Sequence, residues 1–168
     1  SIPVTLLSTP LCIDPKKNEG LTQTKAEPTN PLYSLDKQQS SLVYYDKNTI
    51  VLTMPYWVKV TNSSVEDSEL KKHSFVLSYD PTTMKDTDTK LKLYISHVVD
   101  DAGETVTRSN FTYAYRAYSI RAALTVFKEK TGKLPKYLEL TAKTNSSKDE
   151  LKEESGETSV EYDYAFTE

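Results

Sequence analysis

The segment LKLYISHVV, residues 91–99, decides the fold, because apolar and polar side chains alternate along its whole length. One side of it carries Leu91, Leu93, Ile95, His97 and Val99. Alternation with a period of two predicts a β-strand with one buried face. Residues 100–103 (DDAG) come next and predict a tight turn with its glycine in the left-handed conformation. We expect residues 105–109 to form the return strand.

The same alternation recurs in other segments that lie between turn signals. They cover residues 1–7, 41–45, 49–54, 56–60, 73–79, 137–143 and 158–166. Pro55 separates two of them and lacks a backbone donor, so we expect an edge or a bulge there. The last segment is aromatic on one side and acidic on the other, which is typical of a strand at a surface.

A single helix is predicted by a stripe of apolar residues at helical spacing. The stripe consists of Tyr113, Ala117, Ile120, Leu124 and Phe127. Asn110 or Thr112 would cap the start of the helix, and Gly132 would end it in the left-handed conformation. We therefore place the helix at about 112–131 and expect it to pack on a sheet. Arg116 lies off the stripe and is expected to face water.

Together these segments predict an α+β, β-rich fold: a mainly antiparallel sheet or sandwich of about eight strands with one packed helix. Residues 42–168 form the single domain of this prediction. Residues 1–41 are predicted to be an extended amino-terminal arm, because prolines punctuate a polar stretch that lacks any period. An arm of this composition gains little by collapsing on itself, so we expect it to become ordered along another molecule.

Ile2, Val4 and Leu6 lie on one side of a short apolar segment at the start of the arm. Such a strand either joins the sheet of its own domain or completes the sheet of a neighbouring subunit by edge pairing. Under the second interpretation, the three residues are an inter-subunit contact. Because the chain begins at Ser1, we expect a cleaved signal, a removed Met or a boundary chosen for expression before it.

The composition excludes several classes of function. The 168 residues include one Cys, so neither an intrachain disulfide nor a thiolate metal cluster can form. No apolar run approaches the roughly 20 residues that span a bilayer. Phosphate-binding loops are disfavoured because the chain has only four Gly, and no Walker, dinucleotide-binding or serine-hydrolase motif is present. Cys12 has no base beside it in sequence that would make it a nucleophile.

No catalytic, metal or cofactor site is predicted. His73 and His97 are the two histidines, and His97 falls on the buried side of its strand, which favours a structural role over metal binding. Asp100, Asp101 and Glu104 cluster in one turn but lack the ligand spacing of a calcium-binding loop. We therefore expect a solvated turn there and a protein that is not an enzyme.

Three Asn-X-Ser/Thr motifs make Asn62, Asn110 and Asn145 candidate glycosylation sites. They favour a secreted glycoprotein, although the absence of disulfides argues mildly the other way. The predicted location is extracellular or on a virion surface.

The predicted function is a structural or assembly subunit of an extracellular filament, a surface layer or a virion. It would associate with other copies of itself, partly through the arm. The alternative is a binding module for carbohydrate or for another surface protein, which would use exposed Trp57 and Tyr side chains. A third reading, a single-stranded nucleic-acid-binding protein with an acidic carboxyl-terminal segment, is disfavoured by the net charge of −3.

Overall fold

The computed structural model describes residues 21–151 and 156–167. Seven strands form in these ranges: β1 (Ser41–Asp46), β2 (Thr49–Val58), β3 (His73–Ser78), β4 (Lys90–Val99), β5 (Asn110–Ser119), β6 (Tyr137–Lys143) and β7 (Glu157–Asp163). The helices are α1 (Asp67–Leu70) and α2 (Arg121–Thr131), and a 3-10 turn covers Pro81–Thr83. The prediction of a β-rich α+β fold with one main helix is confirmed.

The strands form two sheets, with the orders β1-β2-β5 and β3-β4-β6-β7. Four of the five strand pairs are antiparallel, and β4 and β6 are parallel. The parallel pair arises because the chain leaves the four-stranded sheet after β4, adds β5 to the other sheet, and returns through α2. The mainly antiparallel arrangement is therefore as predicted.

The inner faces of the two sheets share one core with α2. This core includes Ile50, Leu52, Met54, Phe75, Leu77, Leu91, Leu93, Ile95, Leu138 and Leu140. The Tyr118 hydroxyl of β5 donates to the Phe75 carbonyl of β3 at 2.6 Å, which links the sheets directly. The α2 helix adds Ala123, Leu124 and Phe127 to the core. No helix in the described ranges is long and apolar enough to cross a membrane.

The predicted helix is too long at its start. Residues 110–119 form β5, and α2 begins only at Arg121. The β5 strand lacks the alternation that predicts a strand, because its outward residues are aromatic while Arg116 lies on the inner side. The guanidinium carbon of Arg116 is 5.2 Å from the centroid of the Phe75 ring, so the expectation that it faces water is wrong. The helix ends as predicted, because Gly132 has a φ of 79°.

The β2 strand continues through Pro55, and it is an edge there, as one of the two predicted alternatives has it, because β1 pairs with β2 only as far as Thr53. The Pro55 carbonyl accepts a hydrogen bond from the Tyr33 amide at 2.9 Å, on the side away from β5. The Pro55 nitrogen points to that same side, where β1 has already ended, so no ladder hydrogen bond is lost. Residues 105–109, the expected return strand, form no regular element, and β5 joins the other sheet instead.

The described part of the arm, residues 21–40, lies against its own domain. Leu32 is fully buried and Leu35 is 4% exposed. The backbone of Leu32 bridges both sheets, since it pairs with Tyr56 in β2 and with Thr144 just beyond β6. For residues 21–40, the expectation of order along another molecule therefore does not hold. Two isolated leucines reach the core where the sheets meet, and isolated leucines produce no periodic signal in the sequence.

The arm also crosses the outer face of the four-stranded sheet. Thr22 pairs in parallel with Ser78 at the edge of β3. The Lys25 ammonium lies 3.8 Å from the centroid of the outward-facing Tyr94 ring. The Thr29 amide then donates to the His97 carbonyl of β4 at 3.0 Å. The arm therefore covers part of one sheet before it enters the core at Leu32.

Candidate functional site

The outer face of the three-stranded sheet is the first candidate site, and we call it the aromatic face. Its positions alternate with the core positions of the same strands. They are Ser41, Val43, Tyr45, Val51, Thr53, Pro55, Trp57, Phe111, Tyr113, Tyr115, Ala117 and Ser119. Thr49 and Asp46 continue the row of Ser119 at the hairpin turn, and Asp46 is the one charged residue in register with these twelve, whereas 27% of the chain is charged. A face with so few charges on so charged a chain indicates a contact surface.

Large apolar side chains remain accessible on the aromatic face. Tyr45 is 81% exposed, Val43 is 57% exposed, Phe111 is 40% exposed and Tyr113 is 39% exposed. Within the described ranges, Leu70 is the one other large apolar side chain that is exposed. Exposed apolar surface is therefore concentrated on one face, at two of its corners: Val43 and Tyr45 near the β1–β2 turn, and Phe111 and Tyr113 at the opposite end.

Three rings form a cluster at one end of the aromatic face. The Tyr33 ring of the arm stacks on Phe111 with centroids 4.2 Å apart and meets Trp57 edge-on at 5.0 Å. The Trp57 indole N–H donates to the Asn145 carbonyl at 2.8 Å. Trp57 is only 6% exposed as a result, so the expectation of an exposed Trp57 is wrong. Phe111 and Tyr113 present the accessible rings instead.

The outer face of the four-stranded sheet has the opposite character, and we call it the polar face. It carries Lys90, Lys92, Tyr94, Ser96, Glu139, Thr141, Lys143, Glu157, Ser159 and Glu161. The Lys90 ammonium lies 2.6 Å from a Glu161 carboxylate oxygen and 3.8 Å from a Glu139 oxygen. A groove of about 400 Å³ crosses this face beside the arm.

Buried polar side chains gather at one end of the sandwich in a cluster that we call the hub. It consists of Glu69, His73, His97, Asp101, Arg108 and Asp149. The Arg108 Nη2 atom donates to Glu69 Oε1 at 2.9 Å and to Asp101 Oδ1 at 2.7 Å. An Asp149 oxygen lies 3.7 Å from Arg108 Nη1. Because the Arg108 side chain is 1% exposed, these carboxylates replace water around a buried cation.

The two histidines extend the hub as a hydrogen-bonded chain. His97 Nδ1 donates to the Pro31 carbonyl at 3.0 Å, His97 Nε2 lies 2.8 Å from His73 Nδ1, and His73 Nε2 lies 3.0 Å from Glu69 Oε1. The Pro31 carbonyl can only accept, so His97 Nδ1 carries a hydrogen. The tautomer of His73 decides whether its hydrogen lies toward His97 or toward Glu69.

The pKa values of the acids in the hub follow from these contacts. Burial alone would raise the pKa of Glu69, but hydrogen bonds from Arg108 and two further donors outweigh it and lower that pKa. The hydrogen bond from Arg108 lowers the pKa of Asp101 in the same way. Burial raises the pKa of Asp149. Glu69 and Asp101 are therefore the carboxylates that balance the charge of Arg108.

The hub joins the arm, α1 and the loops after β4 and β6, and it is closed to substrates. His73 is 0% exposed and His97 is 1% exposed, so no dissolved molecule reaches either imidazole. Among residues 21–151 and 156–167, no group of three or more His, Cys, Asp or Glu side chains could hold a metal ion. Sequence reasoning missed Glu69, Arg108 and Asp149, because they are far apart in the chain and carry no local motif.

In the acidic turn and among the glycosylation motifs, the structure leaves some of the predicted residues exposed and buries others. Asp101 joins the hub, whereas Asp100 and Glu104 are exposed. Asn62 and Asn110 are also exposed, so both stay candidate glycosylation sites.

Asn145 differs from the other two motif residues. It is 5% exposed, and its Nδ2 atom donates to the Glu150 carbonyl at 2.8 Å. The folded domain therefore has no room for a glycan at Asn145. The predicted inter-subunit residues Ile2, Val4 and Leu6 lie outside the described residues, as does Cys12.

The fold is similar to that of a solved structure from Bacteroides fragilis NCTC 9343. No protein-family profile matches this sequence, and no curated protein matches it. The chain is similar to a protein of Bacteroides fragilis NCTC 9343 that is provisionally designated a lipoprotein. The identity is 28% and the TM-score is 0.75, over 89% of this chain and 70% of that chain. The chain is also similar to an uncharacterized protein of Parabacteroides merdae ATCC 43184, with 15% identity and a TM-score of 0.49 over 88% of this chain and 66% of that chain.

Proposed function

We propose that this protein is a non-enzymatic subunit of the cell surface that associates with further copies of itself through the aromatic face. The observation that carries the proposal is a sheet face with a single charged residue, Asp46 at its hairpin end, that holds four of the five exposed large apolar side chains of the described ranges. The likeness to a Bacteroides fragilis protein designated a lipoprotein supports a location at the cell surface rather than on a virion.

A second copy of the chain is the partner that the aromatic face fits best. Two identical faces form a symmetric contact only if they do not repel each other, and a face whose one charge, Asp46, lies at the hairpin end meets that condition. The β2 and β5 strands pair over their full length, so the face is about 33 Å long, and the outer two of its three strands are about 10 Å apart. A face of this size is below the roughly 600 Å² per partner of stable interfaces, so we expect a weak dimer that forms as concentration rises.

The absence of enzymatic activity is part of the same proposal. Its support is the burial of His73 and His97, the side chains best suited to proton transfer at neutral pH. The hub uses both imidazoles to hold loops together, and neither one faces a cavity that a substrate enters.

The arm supplies a second, independent route to self-association. Strand addition by Ile2, Val4 and Leu6 stays a proposal that can be tested without disturbing the core. Residues 21–40 belong to the packed domain, because Leu32 is fully buried. The informative truncation therefore removes residues 1–20 and no more.

Sedimentation over a range of concentrations tests both routes. We expect the wild-type chain to dimerise and the Phe111→Lys variant to remain monomeric, because the variant places two like charges in a symmetric contact. Thr125→Lys adds the same charge on the exposed side of α2 and serves as the matched control. If deletion of residues 1–20 abolishes association while Phe111→Lys does not, the arm is the contact and the aromatic face is not.

A wild-type chain that stays monomeric at every concentration overturns the proposal of self-association. Equal association of Phe111→Lys and wild type overturns the role of the aromatic face. Circular dichroism of each variant confirms that the comparison is between folded proteins.

A further inference from the structure

The β1 strand lies at the end of the three-stranded sheet, so one of its two sides has no neighbouring strand among the described residues. None of its residues is buried, and Val43 and Tyr45 are among the exposed large apolar side chains. Residues 41–45 (SLVYY) carry no charge. An uncharged edge strand with exposed apolar side chains is a template on which a further strand can pair.

The pairing of the sheet fixes which backbone groups of β1 point to its open side. The Ile120 amide donates to the Asn48 carbonyl at 2.7 Å, so the even-numbered residues of β2 and β5 bond to each other. The odd-numbered residues of β2 therefore bond to the odd-numbered residues of β1. It follows that the amides and carbonyls of Leu42 and Tyr44 point to the open edge and to solvent.

The other three edges of the sandwich differ from β1. Charge on an edge strand opposes the addition of another strand, and β7 carries three acids: Glu157, Glu161 and Asp163. At the β3 edge, the arm pairs with Ser78 through Thr22. At the β5 edge, the Arg116 guanidinium donates to the odd-numbered Tyr115 carbonyl at 3.1 Å. Within the described ranges, β1 is therefore the edge that most favours strand addition.

We propose that β1 pairs antiparallel with β1 of a second copy, with Val43 of the two chains facing each other, and that this contact links face-to-face dimers into larger assemblies. The inference rests on the proposed self-association and gives it a second contact surface. A second copy is the partner that fits, because an antiparallel strand pair is symmetric and each chain offers the other the same groups.

The proposed register uses the edge-facing backbone groups and covers an exposed side chain. Leu42 lies opposite Tyr44 of the second copy, and the two residues exchange both of their backbone hydrogen bonds. Symmetry repeats this exchange, so about four hydrogen bonds form in all. The two Val43 side chains form a non-hydrogen-bonded pair, in which Cα atoms are about 4.5 Å apart and the side chains contact each other.

Charge does not oppose this pairing. The charged residue closest to Val43 in β1 is Asp46, at the end of the strand. In the proposed register the two Asp46 residues lie about 20 Å apart along the strands, beyond the distance over which salt at physiological strength leaves exposed charges unscreened. The contact is short, however, so we expect it to form only after the aromatic face has brought copies together.

Amide hydrogen exchange of the wild-type chain tests the pairing directly. Where sedimentation shows monomers, the Leu42 and Tyr44 amides should exchange rapidly because they point to solvent. Their exchange should become at least about tenfold slower as assemblies larger than a dimer form. The Val43 amide is the internal control and should be protected at every concentration, because it bonds to β2.

Leu42→Pro and Leu42→Ala form a matched pair of variants. Both remove the leucine side chain, but only proline removes the amide that points to the second copy, and it removes no bond to β2. By symmetry, each contact between Leu42→Pro chains loses two hydrogen bonds. We therefore expect dimers of Leu42→Pro to associate further at least about tenfold more weakly than dimers of Leu42→Ala. Circular dichroism confirms that both variants are folded.

The outcomes separate this inference from the proposed function. If dimers form without larger assemblies, or if larger assemblies leave the Leu42 and Tyr44 amides unprotected, the inference is overturned and the proposed function stands. Equal assembly of Leu42→Pro and Leu42→Ala overturns the inference as well. A wild-type chain that stays monomeric overturns both. Protection of the two amides in associated Phe111→Lys would support the edge contact and overturn the role of the aromatic face.

Discussion

The aromatic face and the polar face are outer surfaces of the two sheets of one sandwich, yet they differ in charge and in what covers them. The polar face holds ion pairs such as Lys90–Glu161 and is crossed by residues 21–30 of the arm. The aromatic face has one charged residue, Asp46 at its hairpin end, and its rings at Phe111 and Tyr113 remain accessible. The arm covers this face only at one end, where Tyr33 stacks on Phe111. The comparison teaches that the domain covers the middle of its hydrophilic sheet with its own chain and leaves most of its apolar sheet open.

The largest expected effect concerns the attachment of the arm to the domain. Leu32→Ala should lower the free energy of unfolding by about 2–5 kcal/mol, because Leu32 is fully buried between the two sheets. Urea unfolding followed by the fluorescence of the single tryptophan, Trp57, measures this change. Val43→Ala on the aromatic face is the control and should cost little, since Val43 is 57% exposed. Equal losses of unfolding free energy in the two variants would mean that Leu32 of the arm does not belong to the packed core.

The next effect is acid sensitivity at the hub. Glu69 and Asp101 have pKa values in the folded chain below their unfolded values. Each therefore contributes stability above its unfolded pKa, and the contribution is lost as the pH falls through the folded pKa. Asp149 has the opposite sign, because its pKa is raised. Two carboxyl groups thus lose a stabilising contribution on acidification and one gains stability. We therefore expect the free energy of unfolding to fall as the pH drops below 4.5, the ordinary pKa of Glu.

The measurement is the unfolding free energy against pH for wild type and Glu69→Gln. The variant should show a shallower loss of stability on acidification, even though it is less stable at neutral pH. Glu129→Gln, which changes an exposed acid on α2, should retain the wild-type slope. A wild-type slope in Glu69→Gln would contradict the assignment.

The smallest effect is expected for the ion pairs of the polar face. Lys90→Gln removes the contacts with Glu139 and Glu161. Because the Lys90 side chain is 42% exposed, water and salt screen these contacts, and we expect no measurable change in the urea midpoint. Repeating the measurement at low salt checks the screening argument. A clear loss of stability would show that the charges of this face hold the sheet together rather than keep it soluble.

The strands of the four-stranded sheet could be predicted from the sequence, but β5 could not. The β3, β4, β6 and β7 strands bury one side and expose polar residues on the other, so their periodicity is plain. In β5 the outward residues Phe111, Tyr113 and Tyr115 are aromatic, and the inward residues include Arg116, which inverts the pattern. The property that makes the aromatic face a candidate site therefore also hides its strand from pattern analysis.

The hub and the groove could not be predicted for a different reason. Asn30 contacts Asp149 across 119 positions of the chain, and Arg108 contacts Glu69 across 39 positions. Such pairs leave no spacing that a local motif could reveal. The row of hydroxyl side chains on the polar face, Ser78, Tyr94, Thr141 and Ser159, likewise depends on the register of four strands. Only the order of the strands and their pairing bring Ser78 and Ser159 onto one line.

Because Leu32 pairs with both Tyr56 and Thr144, a force applied to the amino-terminal side of the domain acts on its contacts in a fixed order. A pull on the amino-terminal side reaches Thr22 at the sheet edge first, then Thr29 at the end of β4, and only afterwards the clasp at Leu32. Bonds loaded one after another give way in steps, so tension is spent in peeling the arm before the sandwich itself is strained. The contacts at Thr22 and Thr29 would therefore open while the core between the sheets is still packed.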